Sequence, residues 1–312
     1  TLSKEMLSSN WRTLADLFSK NLLTHKQYPV HYCPACASSL AEAELESKSL
    51  PKDDLYFKMK LKSSLYPSLF ALVWTTTPWT LPMNQALAFN SNFSYQVWRN
   101  HLNEHLVLQN PEAVSDWLTL NNFTFLCETT FANLLASVSY SPLTSLEAPC
   151  LDASFVEPGK TGFVHVSCAH GPEDFLLGAA NGLTPQTYLD AHGVFCFPDS
   201  DTLHALHNLK HSQSTATVLK LLSYSNLLVK HHTAMTDQKV CWRHQCGVYY
   251  NATWQVFLEL EKPENNLKDK ACSLLAHPTC TMDATAKFQL EHMLYTRPNW
   301  CLSRQRVWGC PM

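Results

Sequence analysis

Residues 162–174 read Gly-Phe-Val-His-Val-Ser-Cys-Ala-His-Gly-Pro-Glu-Asp. The first five residues are rich in β-branched and aromatic side chains, which favours a β-strand over 162–166. A helix is expected from about 172 to 180, with Glu173 and Asp174 in its first turn, where the helix dipole favours carboxylates. The stretch therefore predicts a strand that carries His165, followed by a helix that begins with an acidic pair.

Length and composition limit the classes of protein to consider. With 312 residues the chain can hold one large or two smaller domains. Its residues are 46% hydrophobic and only 16% charged, which is typical of an ordered globular protein, and no apolar run approaches the about 18 residues of a membrane span. The net charge of -3 gives no general attraction to nucleic acid, so any such contact depends on local clusters. Only 8 glycines are present, which argues against glycine-rich phosphate loops, and neither GxGxxG nor GxxxxGK[ST] occurs.

The cysteines indicate a reducing compartment and a metal site. There are 12, scattered along a chain without a signal peptide at its first residue, which is unlike a secreted disulfide scaffold. Cys33 and Cys36 form a CxxC, and Cys241 and His244 repeat the spacing about two hundred residues later. Two such pairs suit a structural, tetrahedral Zn²⁺. Cys246 is an alternative fourth ligand, and ordinary reduced cysteines are the alternative to a metal site.

Periodicity predicts an α+β fold. An opening helix ends near residue 23, with Trp11, Leu14, Leu17, Phe18 and Leu22 on one face. Short strands are expected at 69–74, 95–98, 106–108, 123–126 and 247–250. Helical segments are expected at 111–118, 130–137 and 215–228. No internal repeat or low-complexity tract is present.

Four separated stretches carry a family resemblance. They are Pro-Val-His-Tyr-Cys at 29–33 leading to Ala-Glu-Ala-Glu at 41–44, the threonine-rich run Trp-Thr-Thr-Thr-Pro-Trp-Thr-Leu-Pro at 74–82, the run 162–174, and the closing run 297–311. In this order they resemble the class I aminoacyl-tRNA synthetases for branched aliphatic amino acids, and the bacterial and organellar isoleucyl-tRNA synthetases in particular. The valyl enzymes typically have Lys where His165 stands and Asp-Pro where Gly171 and Pro172 stand.

The resemblance implies a domain organisation. Neither the HIGH nor the KMSKS signature is present, so ATP and Mg²⁺ are expected only in the full-length enzyme. The chain resembles the large insertion called connective peptide 1, a β-barrel-like editing domain inserted in a Rossmann catalytic domain. The expected segments are 1–29 as the end of the first catalytic half, 30–63 and 236–258 as a zinc-ribbon-like stalk, 64–235 as the editing domain, and 259–312 as the return into the second catalytic half.

The family's activity implies roles for the residues of the matched motifs. The expected reaction is post-transfer editing, in which water hydrolyses valine from tRNA that carries the isoleucine anticodon. Asp174 would bind the α-ammonium group and His165 would limit side-chain size. The hydroxyls of Thr75, Thr76 and Thr77 would contact the terminal adenosine and the ester and position water.

Each of these residues also has a structural interpretation. Asp174 is then only a carboxylate at a helix start, His165 a satisfied core histidine, and the threonines the polar end of a strand. Trp74 belongs either to the strand core or to the adenosine pocket. Arg304 and Arg306, flanked by Trp300 and Trp308, form either an RNA-binding patch or, as the family's chain path favours, a packed return into the catalytic core.

Expected partners follow from the same resemblance. They are the 3′ acceptor end of tRNA(Ile) and the amino acids valine and isoleucine. No association with a membrane is expected, and the protein is expected to be a monomer. Scarce glycine and abundant cysteine favour the mitochondrial matrix over the bacterial cytoplasm. Two departures from the motif stand near the pocket: Lys160-Thr161-Gly162 replaces the family's Gly-Thr-Gly, and Ser167-Cys168 replaces its Ala-Pro. The alternative functions are a decayed module that only binds the tRNA acceptor end, and valyl-type editing of threonyl-tRNA.

Overall fold

The computed structural model describes residues 3–197, 203–262, 266–306 and 309–310. The chain divides into two compact units. The first combines Thr1–Tyr28, Ser38–Ala41 and Thr253–Met312, and the second combines Pro29–Ala37 and Glu42–Ala252. The second unit contains nearly all the residues of the three internal motifs, so the site lies within it.

Strands dominate the described residues. In chain order they are β1 Leu23–Cys33, β2 Ser38–Ser39, β3 Leu45–Ser63, β4 Leu69–Thr75, β5 Ala86–Phe89, β6 Tyr95–Arg99, β7 His105–Leu108, β8 Thr124–Thr129, β9 Ala136–Tyr140, β10 Glu147–Asp152, β11 Phe163–Val166, β12 Leu228–Cys241, β13 Tyr249–Glu259 and β14 Asn299–Cys301. The predicted short strands at 69–74, 95–98 and 106–108 match β4, β6 and β7 to within one residue at each end. The long strands β3 and β12 were not predicted, because their polar halves lack the aromatic and β-branched pattern that marks a strand.

Helices are fewer than strands among the described residues. The α-helices are α1 Lys4–Ser19, α2 Ser115–Leu120, α3 Pro172–Ala180, α4 Thr215–Tyr224, α5 Leu267–Ala276 and α6 Ala284–Thr296. Short 3₁₀ helices are formed by Glu42–Glu44, Pro78–Met83, Glu112–Val114, Phe131–Leu134, His204–Leu206 and His211–Gln213. The predicted helix at 172–180 coincides with α3. None of the described helices combines the length and apolar character that a membrane crossing requires.

A ten-stranded sheet forms the second unit. Its strands follow the order β11-β5-β10-β9-β3-β4-β7-β6-β8, and β12 pairs with β3 beside this path. The long strand β3 pairs with β12 through residues 45–57, with β4 through 55–61 and with β9 at its end. The described strands at the two ends of this order, β11 and β8, do not pair with each other, so the sheet is not closed. The expected closed, barrel-like shape is therefore replaced by a mixed α/β unit with a large open sheet.

The main core lies against one face of β3. Leu55, Phe57, Met59 and Leu61 alternate along that strand and are almost completely buried. Tyr56, on the opposite face, belongs to a second apolar cluster, whereas Lys60 on that face is exposed. This alternation with a period of two is the ordinary geometry of a β-strand.

Two strands of this core carry the site residues. Strand β4 has the sequence Leu-Phe-Ala-Leu-Val-Trp-Thr and ends at Thr75, after which Pro78 begins a 3₁₀ turn. Strand β11 starts after Gly162, whose φ of +79° suits glycine. A Cβ at Gly162 would lie 2.7 Å from a ring carbon of Tyr95, so glycine is required there for space as well.

The first unit contains helices α1, α5 and α6 and most residues of the four-stranded sheet β14-β13-β1-β2. Helix α1 begins after Ser3, whose hydroxyl accepts the N–H of Met6. No described residue of α1 is buried, and Phe18 is 74% exposed. Of the predicted apolar face, Leu17 packs against the buried Leu22.

Candidate functional site

A polar cleft lies where β4 and β11 end. Its volume is about 190 Å³. The lining residues come from the two motifs that the sequence singled out: Trp74, Thr75, Thr76, Thr77, Thr80, Val164, His165, Ser167, His170 and Asp174. The structure thus brings together all the predicted catalytic and substrate-binding residues. The volume is below the about 300–1,000 Å³ of sites for drug-sized ligands, and it suits a group of amino-acid size.

Threonine hydroxyls and a histidine form one hydrogen-bonded group in the cleft. The Nε2 atom of His165 lies 3.2 Å from Oγ1 of Thr75 and 3.1 Å from Oγ1 of Thr80. The Thr77 hydroxyl lies 3.4 Å from that of Thr75, and the Thr77 N–H donates to the Thr75 hydroxyl over 3.1 Å. Because Pro78 starts a tight 3₁₀ turn, the Thr80 hydroxyl folds back and donates to the Thr77 carbonyl at 2.8 Å.

His165 is a neutral, fixed side chain. It is 5% exposed, and burial lowers its pKa to about 4, with a further contribution from nearby His170. Nδ1 is buried without a hydrogen-bond partner among the described residues. An uncharged ring held at Nε2 by two hydroxyls has little freedom to move, so it is suited to limiting the space of the cleft.

Asp174 is a partly buried carboxylate at the start of α3. Its Oδ2 atom accepts the backbone N–H of Ser167 over 2.8 Å. Burial raises the pKa of Asp174 to about 6, the Ser167 N–H lowers it, and Glu173 raises it further. A carboxylate whose charge is poorly compensated favours a cationic ligand, because an ammonium group would restore the balance.

The cleft includes three polar residues that were not assigned a role from the sequence: Thr80, Ser167 and His170. Thr80 stands in the quoted threonine-rich run, three residues beyond Thr77, and this is the spacing that a 3₁₀ turn brings together. The Nδ1 atom of His170 lies 2.9 Å from the carbonyl oxygen of Tyr250, which is remote in sequence. Burial lowers the pKa of His170 to about 4, so it is neutral as well.

Trp74 contacts both the cleft and the apolar core of the sheet. It lines the cleft, and it packs against the second apolar cluster on the outer face of β3 and β4. Its indole N–H donates to Oδ1 of Asp54. The ammonium nitrogen of Lys160 lies 4.3 Å from the centre of its ring.

The candidate metal ligands converge at one point in the second unit. The ligand atoms of Cys33, Cys36, Cys241 and His244 all lie within 4.8 Å of one another. Nδ1 of His244 is 3.2 Å from Sγ of Cys36 and 4.0 Å from Sγ of Cys33, and the Cys36 and Cys241 sulfurs are 3.8 Å apart. Each pair occupies a strand end and the turn that follows it.

These distances fit a zinc ion. With Zn–S bonds of about 2.3 Å, a tetrahedral site separates its sulfurs by about 3.8 Å. Three thiols and one imidazole are a donor set that structural zinc sites use. Cys246 lies outside this set of four, although its sulfur is 3.6 Å from that of Cys33. The geometry thus favours His244 over Cys246 as fourth ligand.

The closing run packs within the first unit. The Arg304 guanidinium donates to the carbonyl oxygens of Cys301, at 3.2 Å, and Ser303, at 2.7 Å. The Val256 N–H donates to the Ser303 hydroxyl over 2.8 Å. These contacts agree with packing rather than an open basic patch. Trp308 and Pro311 lie outside the described residues.

Comparison with known proteins identifies the family. The family model for tRNA synthetases class I (I, L, M and V) matches residues 1–312. The chain belongs to this family. Its class I synthetase relatives include the isoleucine–tRNA ligase of Francisella philomiragia, 33% identical over 318 residues that cover 96% of this chain and 33% of the relative. The isoleucine–tRNA ligase of Francisella tularensis subsp. holarctica is 32% identical with the same coverage.

Two further facts qualify the comparison. This chain spans about one third of the length of these two relatives, and both are bacterial proteins. Among solved structures, the crystal structure of GlLeuRS-CP1 matches with a TM-score of 0.45 and 12% identity, covering 57% of this chain and 99% of that one. The family assignment rests on the sequence matches alone.

Proposed function

We propose that this class I synthetase chain performs post-transfer editing, hydrolysing the ester that joins valine to tRNA(Ile). The observation that carries the proposal is the cleft lined together by one partly buried carboxylate, a cluster of threonine hydroxyls and a fixed neutral imidazole. An aminoacyl ester has one cationic group, one ester and one variable side chain. The cleft offers a matching group for each.

Asp174 binds the α-ammonium group of the amino acid. Its Oδ2 is held by the Ser167 N–H, and its Oδ1 makes no hydrogen bond among the described residues. The ammonium group would therefore find a fixed acceptor. Partial burial disfavours the charged form of Asp174 before the ligand binds. Pairing with the ammonium group lowers the pKa of the carboxyl group and offsets this unfavourable desolvation.

Hydrolysis in this proposal uses water and hydroxyl groups only. Thr75 and Thr77 orient the water and the ester through the hydroxyl network around His165. The oxygen of water attacks the ester carbonyl carbon, and the bond from that carbon to the ribose oxygen breaks. A proton passes to the ribose oxygen, so the products are free valine and uncharged tRNA.

His165 supplies the selection by size. Isoleucyl-tRNA synthetases are the standard illustration of why a second site is needed, since one methylene is worth only about 1–3 kcal/mol of discrimination. A synthetic site that fits isoleucine therefore also admits valine. A cleft bounded by the fixed His165 ring accepts valine and excludes the larger, correct amino acid.

The remaining assignments are proposals of the same kind. Zn²⁺ held by Cys33, Cys36, Cys241 and His244 would cross-link two distant chain segments in a stalk formed by 30–63 and 236–258. Residues 64–235 would be the editing domain, with 1–29 and 259–312 leading from and to the two halves of a Rossmann catalytic domain. ATP and Mg²⁺ would serve only the full-length enzyme, and a monomer in the mitochondrial matrix remains our expectation.

The test is deacylation of two substrates by the 312-residue chain. Valyl-tRNA(Ile) should be hydrolysed well above the uncatalysed rate, and isoleucyl-tRNA(Ile) should not. Hydrolysis of neither, with binding of the tRNA retained, would favour the binding-only alternative. Hydrolysis of threonyl-tRNA(Val) in preference to both would favour the valyl-type alternative.

A further inference from the structure

Lys160 places a positive charge beside the mouth of the cleft. Its ammonium nitrogen lies 4.3 Å from the centre of the Trp74 ring, and Trp74 is one of the lining residues. The side chain itself is exposed. At this position the family motif described above has glycine, so the charge is a feature of this chain rather than of the shared pattern.

The loop that carries Lys160 is anchored on both sides. The N–H of Gly159 donates to Oε1 of Gln109 at 2.9 Å, and the Gly159 carbonyl accepts from the Asn110 amide at 3.0 Å. On the other side, the carbonyl of the fully buried Thr161 accepts the N–H of Gln109 at 2.9 Å. Three backbone groups in the two neighbours of Lys160 therefore fix where its side chain starts.

The ammonium group remains available to an external anion. Asp54 lies under Trp74, but its carboxylate already accepts the Trp74 indole N–H and pairs with His232 at 3.0 Å. In the described part of the chain no carboxylate oxygen lies within 4.0 Å of the Lys160 nitrogen. Contact with the indole ring favours this position of the ammonium group without neutralising its charge.

We propose that Lys160 binds the phosphate group on the 5′ side of the terminal nucleotide of the RNA substrate, with Trp74 as the platform that positions its ammonium group. This inference rests on the proposed editing function. A cleft of about 190 Å³ is too small to hold the nucleotide as well as the aminoacyl group, so in this proposal the nucleotide extends outward past Trp74. The phosphate is the first anionic group of the substrate beyond the ester, and lysine is a suitable point-charge partner. Since the chain has a net charge of -3, such a contact must be local.

The experiment compares two small substrates with the 312-residue chain. One is adenosine esterified with valine at the ribose, and the other is the same ester of adenosine 5′-monophosphate. We expect kcat/KM to be about two- to fivefold higher for the phosphorylated ester at low salt, a difference that matches an exposed ion pair. The advantage should decline as salt is added, because an exposed pair is screened.

Three variants assign the effect. Lys160→Met keeps the apolar stem on Trp74 and removes the charge, so it should lose the phosphate advantage while hydrolysing valyl-adenosine at the wild-type rate. Lys160→Arg should retain the advantage. Lys62→Ala makes the same change in net charge at a distant lysine and should leave both rates unchanged. Lys62 lies near the end of β3, seven residues beyond Leu55, which pairs with Thr75.

The outcomes separate the two proposals. If the wild type hydrolyses both esters equally, or if Lys160→Met slows both by the same factor, Lys160 is not a phosphate site and the inference is overturned while the editing function stands. If the wild type hydrolyses neither ester and does not hydrolyse valyl-tRNA(Ile), the editing function itself is overturned.

Discussion

The imidazole of His165 and the hydroxyl of Thr75 lie 3.2 Å apart, although ninety residues separate them in the chain. One stands inside β11 and the other at the last position of β4. Their contact joins the two sequence motifs into one site. It also explains why a buried histidine is tolerated here, because two hydroxyls satisfy its Nε2 atom.

Asp174→Asn should remove most of the activity and preserve the fold. The amide oxygen can still accept the Ser167 N–H, so the loop is kept while the charge that binds the α-ammonium group is lost. We expect kcat/KM on valyl-tRNA(Ile) to fall by about 10- to 100-fold, the range for a hydrogen bond to a charged group. The check is deacylation kinetics together with circular dichroism; a folded variant with wild-type kinetics contradicts the assignment.

The same variant should be more stable than the wild type above pH 6. The folded-state pKa of Asp174 is raised to about 6, so the native chain binds this proton more tightly than the unfolded chain. Raising the pH from about 4 to 6 therefore destabilises the native state through this group, and the penalty is complete above pH 6. A two-unit shift is worth about 3 kcal/mol. Urea unfolding at pH 7.5 should show Asp174→Asn gaining up to this amount.

At pH 4 the gain of Asp174→Asn should be nearly absent, because both chains then carry an uncharged group in the native state. Asp116→Asn is the matched control, because it makes the same change at an exposed aspartate in the first turn of another helix, α2. It should change the unfolding free energy little at either pH. Equal stability of Asp174→Asn and wild type at pH 7.5 would refute the raised pKa.

His165→Ala should widen the specificity of the cleft. If the ring limits space, its removal admits one more methylene, and the ratio of isoleucyl-tRNA(Ile) to valyl-tRNA(Ile) hydrolysis should rise by about tenfold or more. The measurement is a pair of deacylation rates with one enzyme preparation. A parallel fall in both rates, with no change in their ratio, would indicate a catalytic or core role instead.

Zinc content should be close to one atom per chain. Cys33→Ser should lose the metal and lower the melting temperature, because the ion links segments that are about two hundred residues apart. Cys196→Ser is the control, since Cys196 is exposed and is not among the four clustered ligands. A chain that purifies without zinc and is as stable as a zinc-loaded one would rule out the site.

Gly162→Ala should destabilise the second unit more than Gly182→Ala. Both glycines have positive φ, +79° and +73°, so both substitutions carry a backbone cost of about 1–2 kcal/mol. At Gly162 the new Cβ would also meet Tyr95 at 2.7 Å and Gln109 at 2.8 Å, whereas at Gly182 nothing lies within 4 Å. Overpacking adds about 1–3 kcal/mol. Urea unfolding of both variants checks the difference, and equal losses would contradict it.

Local sequence determined the elements that carry the site. The β-branched and aromatic residues of 162–166 and the acidic start at Glu173 and Asp174 were sufficient to predict β11 and α3, because strand propensity and helix-end charge are properties of neighbouring residues. The two pairs of candidate metal ligands, Cys33 with Cys36 and Cys241 with His244, could be recognised from the sequence for the same reason, because the members of each pair are only three residues apart. The family also followed from motif order, and the match over the whole chain confirmed it.

Tertiary structure decided the rest, because it depends on contacts between distant residues. The long strand β3 is polar over much of its length, and it becomes a strand through backbone pairing with β12 and β4 rather than through its own pattern. The open strand order follows from that pairing as well. The roles of Thr80 and His170 and the shifted pKa of Asp174 arise from burial beside remote partners, and the electrostatic cost of burying a charge is set by the assembled surroundings, not by adjacent residues.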